Sequence, residues 1–452
     1  MFLMKLLFRL YMFGHSGICM RSDVVKRAKI ADAMAEYLDI KYNKLYVILV
    51  LALTVRVACF LYYQAFSDIR TFEYEMVAVN LIKGNGFMFE FLNIPYRAGI
   101  APVFPALCAF VYFIFGHHHF LIVFLQILFS VATCALVFII AKRVFDSRCA
   151  YLAAVLAAFH PALIIYSSTM LHSFALYSFL IFVVFYLLLA SFYRYSKQNN
   201  MLLGICTGLC VLERPTFLPF FISAWICLLY YSADRNAAKR VIISSMFFLL
   251  IIVMPWVVRN TIMFKQPVFI QTNQWIGLWI GNNPQSLGTA MSPSGKTWVD
   301  TMPDELRNKL AGLDEMGQMR LFKAEAIKFI TDHPSQFIER TLKKLYYFWW
   351  FSPTAGFLYP SSYLVIYKIY YAVILFGAVF GFIWMFSSSK MHPFAILLSL
   401  LLCSYSLLHS IYYLEGRHRF SIEPFLLILF SYAVIRSLAL RIASKHLGNA
   451  SD

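Results

Sequence analysis

The chain alternates long apolar runs with short polar segments, most of them basic. Crossing a bilayer takes roughly 20 apolar residues. On that measure the pattern predicts about ten transmembrane helices, at 45–64, 119–141, 149–167, 173–193, 201–212, 216–231, 241–258, 362–386, 393–413 and 421–438. The fifth and sixth are short, with Glu213-Arg214-Pro215 between them. The pattern changes after the first run. In TFEYEMVAVNLIKG, Phe72, Met76, Val77 and Leu81 recur at helical spacing with acids on another face, which predicts a short amphipathic helix ended by Gly84. Pro102 and Pro105 open an apolar stretch that stops at Gly116. It is short for a span and suits a helix lying along, or dipping into, the membrane surface.

These runs divide the chain. Residues 1–43 form a basic N-terminal segment, and MFLMKLLFRLYMF at its start reads as an interfacial helix or an upstream extension rather than a cleaved signal. Residues 44–258 form a transmembrane core whose first loop is 65–117. Residues 259–345 are the one sizeable polar region, with turn signals at Gly281-Asn282-Asn283-Pro284 and helix-like stretches after Pro303. Residues 346–440 return to the membrane behind a basic and aromatic belt that includes Lys343 and Lys344, and 441–452 form a basic tail. The fold class is therefore all-α and polytopic, with a small, mainly helical region outside the bilayer.

Composition agrees. The chain is 61% hydrophobic and 13% charged, against about half and a quarter in a soluble domain. The net charge of +17 comes from Lys and Arg between spans, where they set topology, and forms no long stripe of the kind that binds nucleic acid. With the N-terminus in the cytoplasm, the basic loops near 142–148, 194–197, 235–240 and 390 and the C-terminus share that side. The first loop, the 259–345 region and Glu415-Gly416-Arg417-His418-Arg419 then face outward, in a cell or inner membrane. The nine Cys show no ligand or disulfide spacing. His117-His118-His119 resembles a metal tract, but three successive side chains point in different directions, so no metal site is assigned.

On the outer face, carboxylates and arginines come together. Asp68, Glu73, Glu75 and Glu90 fall close together in a chain poor in acids. A carboxylate there could take a proton from an attacking hydroxyl, and Arg offers a fork matched to phosphate oxygens. Arg214, between two short spans, stands out because buried charge in a membrane is costly. Plainer readings exist: Glu73 and Glu75 also fit the wet face of a surface helix, Glu213-Arg214 an internal ion pair, and Arg417 and Arg419 ordinary loop charges.

The motifs in order resemble the C-type (GT-C) glycosyltransferases, specifically the protein-O-mannosyltransferase and aminoarabinose-transferase-like group, over about 45–440. The residues carrying the resemblance are Glu73-Tyr74, Ala78, Asn80-Leu81, Gly84, Gly86-Phe87, Pro102, Phe104-Pro105, Phe115-Gly116, Arg214-Pro215, Pro255-Trp256, Arg259-Asn260, Gly281-Asn282-Asn283-Pro284 and Arg417-His418-Arg419-Phe420. The resemblance implies transfer of a sugar, with inversion, from a polyprenyl-phosphate donor to a lipid (lipid A or glycolipid), polysaccharide or protein acceptor. It implies that 102–116 is a juxtamembrane helix and that an acid of the first loop is the base. Glu73, beside the loop Tyr, is the first choice and Asp68 the second. Contacts to donor phosphate or substrate are implied for Tyr74, Arg97, Arg214, Arg259, Asn282, Arg417 and Arg419. Many relatives carry Asp where this chain has Arg70, and an acid where it has His172-Ser173, which leaves a divalent cation open. A transporter or flippase, an O-antigen polymerase or ligase, and an inactive structural relative are the competing classes.

Overall fold

In the computed structural model the described residues are 24–64, 68–292, 294–354, 361–386 and 392–448. The first apolar run lies in α1 (Val24–Gln64). The loop after it holds α2 (Glu73–Ile82), strands β1 (Phe89–Phe91) and β2 (Ile94–Tyr96), and α3 (Val103–Phe115). The second run is α4 (His119–Val144); the third is split into α5 (Ser147–Ala158) and α6 (Pro161–Ser168), bent by 45°. Then follow α7 (Phe174–Ser191), α8 (Lys197–Glu213), α9 (Leu218–Tyr231) and α10 (Arg235–Phe264). The polar region carries α11 (Gln274–Gly281), α12 (Asp304–Leu310), α13 (Glu315–Asp332) and α14 (Pro334–Trp349). The last three runs are α15 (Ser361–Met385), α16 (His392–Ile411) and α17 (Glu423–Gly448).

All ten apolar runs are helical. Among the described residues, however, seven helices are long and apolar enough to span a membrane, or eight if the bent pair counts as one. The shortfall lies at α8 and α9, with 17 and 14 residues. The helix expected within Met1–Phe13 lies outside the described residues, and the basic tail from 441 is helical as far as Gly448.

Three local features build the bundle. Pro161 starts α6 and lacks the N–H that would continue α5, so carbonyls at the end of α5 lose helical partners. Arg56 of α1, fully buried, supplies them: it donates to Ala158 O at 3.0 Å and Ala157 O at 3.3 Å, and its Nε to Ser130 Oγ at 2.8 Å. Second, Gly204 and Gly208 of α8 let the backbone of α10 approach; a Cβ on Gly204 would collide with Ser245 O. Gly377 and Gly381 of α15 do the same against Phe430 and Leu429 of α17. Both pairs have the spacing of small residues at membrane helix interfaces. Third, α7 is enclosed on nearly every side, consistent with its apolar sequence all round.

The polar region and the first loop together form a second core around Phe89, Tyr96, Trp279 and Phe322. The β1–β2 hairpin pairs Phe89 with Tyr96 and Phe91 with Ile94. Its turn residues, Leu92 and Asn93, have φ of 47° and 63°, the signs a two-residue hairpin turn needs. The hairpin docks on the start of α13. Glu315 accepts from Arg97 N at 2.6 Å, Ala98 N at 3.2 Å and Thr272 Oγ1 at 2.5 Å, and Tyr96 donates its hydroxyl to Gln318 at 2.5 Å.

Two helices suit the membrane surface. α3 exposes Phe110, Phe113, Ile114 and Phe115, and α14 exposes Ile338, Leu342 and Tyr346 at intervals of one helical turn. The short stretch ending at Gly116 is thus a separate 13-residue helix, ended by a glycine at φ 83°. Lys344, expected in the basic belt, is buried instead. Its ammonium donates to Gly281 O, Asn282 Oδ1 and Ile411 O at 3.0–3.3 Å.

Candidate active site

The end of α8 shows how the site is placed. Pro215 disfavours helical geometry at the residue before it, and Arg214 is accordingly extended, at φ −150° and ψ 110°. The helix stops, and Glu213 and Arg214 both face a cavity of about 610 Å³. Glu213 is buried and accepts Phe104 N at 3.1 Å, which fixes the start of α3. The Arg214 guanidinium lies over Phe174 at 5.1 Å and Tyr177 at 5.4 Å.

The first loop supplies another wall. Arg70 O accepts Leu171 N at 2.9 Å, pinning the loop to the segment between α6 and α7. Glu73 opens α2 after the extended Phe72, where helix N-terminal N–H groups favour a carboxylate. Tyr74 sits edge-on to Phe104 and His172, with ring centroids 5.3 and 5.0 Å away. Burial pushes its phenol up to about 12, against the pull of Arg214. His172 stacks on Phe174 at 3.6 Å. Burial, together with Arg214 and Arg417, holds its imidazole well below the usual range, so it is neutral. The third wall is the short turn Gly416–His418, where Arg417 pairs with Glu415. Tyr363, Leu364 and Tyr367 of α15 line the cavity as well.

A second cavity of about 370 Å³ adjoins the first. The residues they share include Glu73, Gln271, Asn273, Trp298, His409 and His418. Arg70, Arg214 and Arg417 line only the first, whereas Phe89, Phe91, Tyr96, Gln274 and Tyr412 line only the second. Glu73 therefore stands where an arginine-lined space meets an aromatic and amide-lined one.

Of the residues expected from sequence, the structure brings Glu73, Tyr74, Arg214 and Arg417 together. Asp68 is exposed and lines neither cavity. Arg97 points its exposed side chain away, while its backbone joins the hairpin to Glu315. Arg259 clasps the loop: it donates to Arg97 O and Asn260 Oδ1 at 2.7 and 2.8 Å and lies over Trp256 at 4.6 Å. Asn282 is buried between Leu278 O, Ile411 O and Lys344. Arg419 is buried below the cavity, donating to Glu423 Oε1 at 2.7 Å and to Phe348 O and Trp350 O at 2.7 and 3.0 Å. Glu423 also accepts from Tyr367, with His160 Nε2 at 3.2 Å, so this network reaches the cavity through Tyr367. Arg259, Asn282 and Arg419 stay outside the cavity for a shared reason: backbone carbonyls absorb their donors. Glu213 and Glu415 are cavity carboxylates not assigned from sequence. The signal for Glu213 was present in the proline that follows Arg214.

Residues 99–258 match the family model described as dolichyl-phosphate-mannose-protein mannosyltransferase. No curated protein matches the chain. Among solved structures, the apo oligosaccharyltransferase of Archaeoglobus fulgidus aligns with a TM-score of 0.53 at 15% identity, over 90% of this chain and 52% of that one. The same enzyme, tethered to an acceptor peptide containing the NVT sequon, gives 0.52 at 13%, over 90% and 51%. ArnT from Cupriavidus metallidurans bound to undecaprenyl phosphate gives 0.41 at 11%, over 86% and 77%. The chain spans about half the length of the archaeal enzyme, and likeness at this identity shows the fold. The chain is thus a multi-pass helical membrane protein that shares the fold of the archaeal oligosaccharyltransferase, and its residues 99–258 carry a likeness to the mannosyltransferase family model.

Proposed function

We propose that the chain transfers a sugar from a polyprenyl-phosphate donor to an acceptor on the extracytoplasmic face, with inversion at the anomeric carbon. The observation that carries this is the position of Glu73 at the junction of the two cavities. The donor phosphate occupies the arginine-lined cavity, whose α15 wall admits a lipid tail. The acceptor hydroxyl approaches from the aromatic side. Glu73 removes its proton, the oxygen attacks the anomeric carbon, and the bond to the phosphate oxygen breaks on the opposite face. The departing phosphate keeps the electron pair, and Arg214 and Arg417 stabilise its charge. Glu73 is the base and Asp68 the lesser candidate. The acceptor is a glycolipid, a polysaccharide or a protein, and a divalent cation is compatible with the site.

The test uses purified protein and a labelled polyprenyl-phosphate hexose. Wild type consumes the carrier. Glu73→Gln lowers turnover by about 100-fold or more and Asp68→Asn by little. A Glu73→Gln variant with full turnover removes the assigned base. Movement of the carrier across sealed vesicles without its consumption removes the enzyme reading.

A further inference from the structure

His117 and His119 were expected to diverge, and they do not. α3 ends at Gly116, and His117 and His118 lead into α4, which begins at His119. The alternation of this short connection turns the first and third imidazoles to one side and sends His118 toward Phe120. Nε2 of both His117 and His119 faces Glu75 Oε1, the former at 2.9 Å. The three ligand atoms all lie within 4.8 Å of one another.

We propose that Glu75, His117 and His119 form a binding site for a divalent transition metal, with zinc as the best match. Two imidazole nitrogens and one carboxylate make a three-ligand zinc set that leaves a fourth position open. Tetrahedral bonds of about 2.0–2.2 Å put ligand atoms about 3.3 Å apart, so the His117–Glu75 pair needs to open by only a few tenths of an ångström and the closer His119–Glu75 pair by about an ångström. His117 is half exposed and His119 a third exposed, which gives an ion a route in. A second feature points to the same spot. The Tyr112 ring lies 4.6 Å from that of His117, and its buried hydroxyl has no hydrogen-bond partner among the described residues. A metal-bound water would supply one.

The site is distinct from the cavity. Glu73 and Glu75 are two residues apart, about 200° around α2, and Glu75 lines neither cavity. A bound ion would therefore join the first turn of α2 to the start of α4 and fix the pitch of the turn that carries Glu73. It would not touch substrate.

Full-length protein, purified without a polyhistidine tag and stripped with chelator, is titrated with Zn²⁺ and separately with Co²⁺. We expect one equivalent of either ion, visible Co²⁺ absorption of tetrahedral type, and a higher melting temperature with zinc. His117→Ala/His119→Ala abolishes all three, and His118→Ala keeps them. A stripped wild type that takes up no stoichiometric zinc overturns the proposal, as does a double variant that binds like wild type. Neither outcome depends on the transfer reaction, because no donor is present.

Discussion

Replacing Glu315 by alanine should loosen the hairpin of the first loop, and with it the Phe89, Phe91 and Tyr96 wall of the second cavity, while leaving the arginine-lined cavity in place. The carboxylate takes two backbone N–H groups, those of Arg97 and Ala98, and the Thr272 hydroxyl. The hydroxyl can rotate to another acceptor, but the two N–H groups cannot. A buried donor left unsatisfied costs about 1–3 kcal/mol, which gives about 2–6 kcal/mol for the pair. Burial opposes this by pushing the Glu315 carboxyl up, so that removing the carboxylate recovers part of the cost. A net loss of about 2–4 kcal/mol follows. Because an isolated two-stranded hairpin is marginal in water, that loss should appear as local opening. Each 1.4 kcal/mol is a factor of about ten, so amide exchange over residues 89–98 should speed up by roughly 30- to 1,000-fold. Mass-spectrometric hydrogen exchange in detergent measures it directly, with peptides of α7 as an unchanged reference. Glu315→Gln, which keeps one acceptor oxygen, should fall between. Unchanged exchange across the hairpin in Glu315→Ala would show that α13 does not hold the loop.

The remaining predictions separate the cavity from its supports and test the buried lysine. Arg214→Gln and Arg417→Gln should each weaken binding of a polyprenyl phosphate roughly 10- to 100-fold, as expected for about 1.5–3 kcal/mol of charge-assisted hydrogen bonding. Arg259→Gln should leave binding of the carrier within a few-fold and speed exchange in the hairpin; equal losses in binding at all three positions would undo the division drawn above. Lys344 is pulled down to about 7, by burial first and then by Arg340. Between that value and its ordinary 10.5 the unfolded chain binds the extra proton, so stability rises with pH across this window, by at most about 1.4 kcal/mol per unit. Melting temperatures at pH 6, 8 and 10 should therefore climb more steeply for wild type than for Lys344→Met, and parallel curves would contradict the shift.

Much of the fold could be read from the chain because punctuation coincided with periodicity. Gly84 and Gly116 both take positive φ just past the helices they were expected to close. The hairpin escaped because its turn is Leu92-Asn93, whereas the usual signature pairs Asn or Asp with Gly. The site was half legible. Arg214 and Arg417 could be picked out, but so could Arg259 and Arg419, because an arginine at a helix end looks the same whether it faces a cavity or a carbonyl. Only the positions of Trp350 O, Phe348 O and Arg97 O separate the two kinds. The histidine tract failed for a related reason. Successive side chains diverge in a helix, and His117 and His118 precede one.

Arg56 carries a consequence for how the chain is made. Its helix is the first apolar run to reach the bilayer, yet two of the carbonyls it satisfies lie 101 and 102 residues downstream. During synthesis the guanidinium therefore enters lipid well before its partners exist, at a cost of about 2.5–3.5 kcal/mol on an insertion scale. The first helix should linger at the insertion machinery, half committed, until α5 and α6 emerge and their broken junction receives the side chain. Arg56→Leu would insert more readily and leave that junction open, so ease of insertion and quality of the finished bundle would move in opposite directions.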